Sequence, residues 1–110
     1  MKTYTIRITR QAREHLRGIK DYITNTLLAP EAAQNTVSVL KKEIKSLSEM
    51  PERMKLTEEE PWHSAGIRRM RVKNYYVYFW IDEANRKVQV TSIICVARDQ
   101  AAQLEMMERE

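Results

Sequence analysis

Arg69, Arg71 and Lys73 stand at alternate positions of one short run, and they are the residues of this chain best placed to act on an anion. Residues 67–73 read as a strand, whose period of two sends these three cations to one face and Met70 and Val72 to the other. The first face is cationic and the second can be buried. Guanidinium and ammonium groups in such a row can hold phosphate or carboxylate oxygens and stabilise negative charge that develops during a reaction. An arginine stays protonated, so it serves poorly as a general base, and proton transfer would have to come from elsewhere. His63 is one group that can supply it. The plain alternative is that the three cations form the solvent face of a strand, where long charged side chains discourage edge pairing.

The cationic run leads through Asn74, a turn residue, into residues 75–81, which are almost wholly aromatic and β-branched and read as the second arm of a hairpin. Val77, Phe79 and Ile81 alternate toward a core, while Tyr76, Tyr78 and Trp80 take the other face, where packing is a commoner use for aromatics than base stacking. A turn at residues 82–86 precedes a third strand over residues 87–96, with Val88, Val90, Ser92, Ile94 and Val96 expected on one side. Upstream, residues 3–8 alternate as a half-buried strand presenting Tyr4, Ile6 and Ile8. Thr9 suits a helix N-cap. Ala12, Leu16, Ile19, Ile23 and Leu27 then form one helical stripe over residues 10–27. Pro30 and Glu31 open a second helix, with Ala33, Val37, Leu40, Ile44 and Leu47 inward and Lys41, Lys42 and Lys45 outward. Pro51 ends it. Residues 52–65 read as a connecting loop, with Trp62 plugging the edge of the core and Glu58, Glu59 and Glu60 a solvated run. After Arg98 and Asp99 a short helical tail carries Leu104, Met106 and Met107, without evident partners for them. The expected architecture is α+β, in the order β-α-α-β-β-β: an N-terminal strand, an antiparallel helical hairpin, a three-strand antiparallel meander and a short C-terminal helix. The sheet is expected to be antiparallel throughout.

With 110 residues the chain is expected to form a single domain over residues 1–110. A net charge of +4 permits a polyanionic partner without requiring one. Cys95 is alone, so there is no disulfide framework, and a buried hydrophobe is the favoured reading of it. No signal-peptide core and no long apolar run is present, which leads us to expect a cytoplasmic protein with no membrane association. His15, beside the helical stripe, lacks other ligands at metal spacing and reads as a boundary residue. No metal and no small-molecule cofactor is expected.

Taken together, several short patterns resemble the RelE/ParE superfamily of toxins from bacterial type II toxin–antitoxin modules. They are Thr9-x-x-Ala12, Leu47-x-x-x-Pro51, Gly66-Ile-Arg, Asn74-Tyr-x-Val-Tyr-Phe-x-Ile-Asp82 and Arg98-Asp99, and they extend over essentially the whole chain. None is specific alone; their order and spacing carry the resemblance.

The resemblance implies a toxin held inactive by a cognate antitoxin. It allows two activities: RelE-like members cut messenger RNA on the ribosome, whereas ParE-like members are described as inhibitors of DNA gyrase. We place ribosome-dependent cleavage first and gyrase inhibition second. A stand-alone RNA-binding domain comes third. For cleavage, the resemblance implies a catalytic set of Arg69, Arg71, Lys73, Tyr75 and Arg98, with Arg68, Tyr76 and His63 contacting RNA; Tyr75 and Tyr76 join His63 as proton-transfer candidates. Two departures stand out. Tyr75 occupies the place where RelE-like chains usually have an arginine, and the run from Cys95 through Ala97 lacks the tyrosine and first arginine of a Tyr-x-Arg-Arg-Asp ending. The antitoxin is expected to lie across the helical hairpin and sheet, covering the basic face or displacing the apolar tail.

Overall fold

The computed structural model describes residues 3–108. Its elements are β1 (Thr5–Ile8), α1 (Arg10–Asp21), α2 (Pro30–Lys45), β2 (Arg68–Val72), β3 (Tyr75–Asp82), β4 (Lys87–Cys95) and α3 (Gln100–Glu105). The four strands form one sheet in the order β1-β4-β3-β2. The meander β2-β3-β4 is antiparallel, as expected. β1 instead runs parallel to β4, pairing Thr5 with Lys87 through Ile8 with Val90, so the sheet is mixed. A four-residue alternating strand fixes which face is buried but not its direction, and direction here follows from the hairpin that lies between it and the meander.

The helical hairpin covers one face. Ala12 and Leu16 of α1, Leu40 and Ile44 of α2, and Leu47 pack on Val77, Phe79, Val88 and Val90. Thr9 caps α1 as expected: it is buried, and its hydroxyl accepts the Ala12 N–H at 3.3 Å. The helical stripe breaks, however, before Leu27. Residues Tyr22–Thr26 form a π-helical turn, whose wider winding advances the phase, so that Ile23 stays buried while Leu27 is 55% exposed. Leu28 follows with a left-handed φ of 53° and is 80% exposed.

The opposite face of the sheet is covered by the C-terminal residues. Leu104 packs with Ile67, Tyr78 and Ile94, with Trp62 and Met107 beside them. The tail therefore has partners, except for Met106, which is exposed. Trp62 borders this second cluster, as expected of a plug. Residues 52–65 are less irregular than the sequence implies: Pro51–Arg53 forms a short 3-10 turn and Leu56 bridges Arg68, extending the sheet beyond β2. The Thr57 N–H donates to the Ile67 carbonyl at 2.8 Å and the Arg69 N–H to the Lys55 carbonyl at 3.1 Å. β2 is thus not a bare edge.

A β-bulge in β4 overturns the expected alternation. Tyr78 pairs with Ser92 but Phe79 with Val90, so Thr91 is an extra residue. Val88, Val90 and Ile93 face the helical hairpin, whereas Ile94 turns to the second cluster. On its other side β4 is paired only as far as Val90. Beyond that point the Ile93 N–H donates to His15 Nδ1 at 3.1 Å.

Candidate functional site

β2 does not carry three cations on one face. It ends at Val72, and Lys73 lies in the two-residue turn with a left-handed φ of 53°, off the strand whose period would have aligned it. The turn position of Asn74 is as expected. Arg68 belongs to the helix side of the sheet, opposite Phe79, and donates to the Met54 carbonyl at 2.6 Å and to the Glu52 carbonyl at 3.3 Å. Its guanidinium ties the connecting segment to the strand.

Arg69 and Arg71 do share a face, on the side away from the helical hairpin. The ring of Tyr76, which pairs with Arg71 across the strands, lies 4.0 Å below the Arg69 guanidinium and 5.9 Å from that of Arg71. A cation over an aromatic face is attracted by the ring quadrupole. Each guanidinium has a second anchor. Arg71 Nε donates to the Lys73 carbonyl at 3.1 Å. Burial raises the Tyr78 pKa, and the Arg69 guanidinium beside its hydroxyl opposes the rise more weakly. Tyr78 is fully buried and donates its own proton to Gln100 Oε1 at 2.9 Å. Beside Arg69 a small cleft of about 50 Å³ is bounded by Thr57, Glu58, Glu59, Tyr78 and Leu104. Thr57 is buried with its hydroxyl unpartnered among the described residues.

Tyr75 and Arg98 are elsewhere. The strand period that sends Tyr76 to the arginines sends Tyr75 to the other side, opposite Cys95. Tyr75 and Arg98 line a groove of about 520 Å³ between α1 and the unpaired half of β4, together with His15, Ile19, Tyr22 and Cys95. Burial raises the Tyr75 pKa, with Cys95 adding to the rise. The same groove contains His15, whose pKa is lowered by burial. Sequence periodicity placed His15 at a boundary and gave no sign that its ring nitrogen would accept a strand N–H; nothing local encodes that contact.

His63 is exposed on the connecting segment, with Nδ1 at 2.9 Å from the Thr57 carbonyl, so this nitrogen carries the proton. Its neighbour Glu60 accepts from the Ser64 N–H and hydroxyl at 2.9 and 2.7 Å, which lowers its pKa. The acidic triplet thus caps a turn at one end and borders the Arg69 cleft at the other. Among the described residues no group of three His, Cys, Asp or Glu could hold a metal ion. Nor is any described helix long and apolar enough to cross a membrane.

Residues 6–100 match the family model described as ParE toxin of type II toxin-antitoxin system, parDE. The chain belongs to the ParE toxin family. Its fold is that of solved members of the wider superfamily. A chromosomal ParDE toxin–antitoxin system from P. aeruginosa superposes with a TM-score of 0.71 at 20% identity, over 86% of this chain and 98% of that one. The toxin–antitoxin complex RelBE2 from Mycobacterium tuberculosis gives 0.60 at 22% identity, covering 84% and 98%. A free-state arginine mutant of E. coli toxin RelE gives 0.61 at 16%, covering 94% and 92%. No curated protein matches the sequence. In this ParE toxin the Arg69–Tyr76–Arg71 stack and Tyr75 lie on different sides of β3.

Proposed function

We propose that this ParE-family chain is a toxin that acts by binding its target, with DNA gyrase as the target class, and not by cutting RNA. One observation carries the reading: the residues a ribonuclease of this superfamily would combine are divided by the sheet. Arg69 and Arg71 share one face, and Tyr75 with Arg98 lines the groove reached from the other. On the arginine face one proton-transfer group is committed and a second has a cation over its ring. Tyr78 is buried and its proton is given to Gln100. The Tyr76 ring lies under Arg69. Cleavage through the 2′-hydroxyl needs a base and an acid on either side of the phosphate, and cations alone stabilise charge without moving a proton.

The second reading, ribosome-dependent cleavage of messenger RNA, rests on His63. Its Nδ1 bond to Thr57 fixes the tautomer next to the residue that borders the Arg69 cleft, leaving Nε2 as a potential base. In either case the toxin works in the cytoplasm and is restrained by a cognate antitoxin, as in the complexes whose fold it shares.

The test is to induce the toxin and measure gyrase supercoiling with purified components while mapping messenger RNA 5′ ends in cells. We expect supercoiling to be inhibited and no codon-phased ends to accumulate. Codon-phased cuts with normal supercoiling would reverse the assignment.

A further inference from the structure

We infer that Tyr76 is a positioning residue, which holds Arg69 and Arg71 as a rigid pair for two carboxylates on the surface of a protein partner. The inference rests on the binding reading above and names the chemistry of its contact surface. Exposed arginines ordinarily sample many rotamers, and a partner that fixes them pays for that freedom. Here much of it is already spent. Arg69 has the Tyr76 ring below it and the Tyr78 hydroxyl at its edge; Arg71 has the same ring and the Lys73 carbonyl. Their positions two apart on a strand set their Cα atoms roughly 7 Å apart. No carboxylate among the described residues lies within ion-pair distance of either, the one such pair being Arg10 with Glu14. The Lys73 carbonyl takes only the Nε–H of Arg71, so the terminal nitrogens of that guanidinium stay available to a bidentate acceptor.

Carboxylate fits better than a nucleic-acid backbone for two reasons visible on the same face. A single-stranded nucleic acid gains most from stacking its bases on open aromatic rings, but Tyr78 is fully buried beneath α3 and one face of Tyr76 is occupied by Arg69. Next, Glu58 and Glu59 border the cleft beside Arg69, so a continuous row of phosphates would meet negative charge one step beyond the arginines. Two discrete carboxylates avoid that repulsion.

The experiment uses the full chain, isotope-labelled, with the arginine side-chain N–H resonances as the readout at low salt. Hexaglutamate and a hexauridylate RNA are the two probes. Hexaglutamate is expected to shift the Arg69 and Arg71 signals, and more tightly than the RNA. Tyr76→Phe, which keeps the ring, should leave hexaglutamate affinity within about twofold and retain the ring-current displacement of the Arg69 resonances. Tyr76→Leu should lose that displacement and weaken binding about tenfold in a chain that stays folded, with a Tm lowered only by the lost packing on the second cluster. Tighter binding of the RNA, or shifts in neither titration, would overturn the inference, as would Tyr76→Leu binding like the parent. Because the readout is the isolated chain with a probe, gyrase inhibition that persists alongside a failed titration would sink this inference alone.

Discussion

His15 Nδ1 accepts the backbone N–H of Ile93, 78 positions away, at 3.1 Å, just where β4 loses its parallel neighbour β1. An imidazole stands in for a strand carbonyl, and only the neutral ring with its proton on Nε2 can do so.

Folding stability should therefore depend on the charge of His15. Burial lowers its native pKa below the ordinary 6.5, with nearby Glu14 opposing this more weakly. Below pH 6.5 the unfolded chain takes up the proton first, so stability is complete above that pH and falls as pH drops toward the native pKa. Thermal unfolding between pH 7.5 and 5.5 should show a declining Tm. His15→Gln, which keeps an acceptor and does not titrate, should flatten that decline; an unchanged slope would show that other groups carry it.

Arg68 and the pair Arg69 and Arg71 should separate in mutagenesis, although all three are consecutive or nearly so. Arg68→Ala leaves the Met54 and Glu52 carbonyls without their donor and should cost about 1–3 kcal/mol by chemical denaturation. The double variant Arg69→Ala, Arg71→Ala should relieve growth arrest in cells with little loss of Tm. Full toxicity in that variant would remove the arginine face from the mechanism.

Tyr75→Arg restores a cation where a RelE-like chain would have one. Since position 75 faces the groove lined by α1 and not the arginine face, we expect no codon-phased RNA ends from this variant. New cuts on 5′-end mapping would mean that the division by the sheet is no barrier to catalysis.

Much of this arrangement can be traced in the sequence wherever it depends on local phase. The Thr9 cap, the inward placement of Ala12 and Leu16 on α1 and of Leu40 and Ile44 on α2, the hairpin turn at Asn74 and the split of Val77 from Tyr76 all follow from local patterns that run unbroken; Val37 does not follow, being half-buried while Val39 packs on the core. What the sequence conceals are the phase slips. The π-helical turn swings Leu27 outward, and the extra Thr91 sends Ile94 to the face opposite Val90, yet neither leaves a mark in residue type. Lys73 falls off the strand for a related reason, since one residue decides whether the strand or its turn owns a side chain. Contacts between distant segments were also out of reach: His15 with Ile93, and Leu104 with Tyr78, join positions that no spacing rule connects.

Leu104 offers a check on the second layer. It is nearly fully buried against Ile67, Tyr78 and Ile94, so Leu104→Ala should cost about 2–4 kcal/mol in denaturant unfolding. Loss of the Tyr78–Gln100 bond by Tyr78→Phe should cost about 1 kcal/mol. Negligible effects from both would mean that α3 is not docked on the sheet in solution.

The bulge at Thr91 makes β4 a strand with two allegiances. Its first half answers to the helical hairpin, and after one unpaired step Ser92 and Ile94 answer to the C-terminal layer. The chain can thus trade almost any apolar side chain along β4 for another of its kind, and the one position it can give up is the odd one: without Thr91, Val90 with Phe79 and Ser92 with Tyr78 become neighbouring pairs of a regular ladder, and Ile93 still meets the hairpin while Ile94 still meets α3.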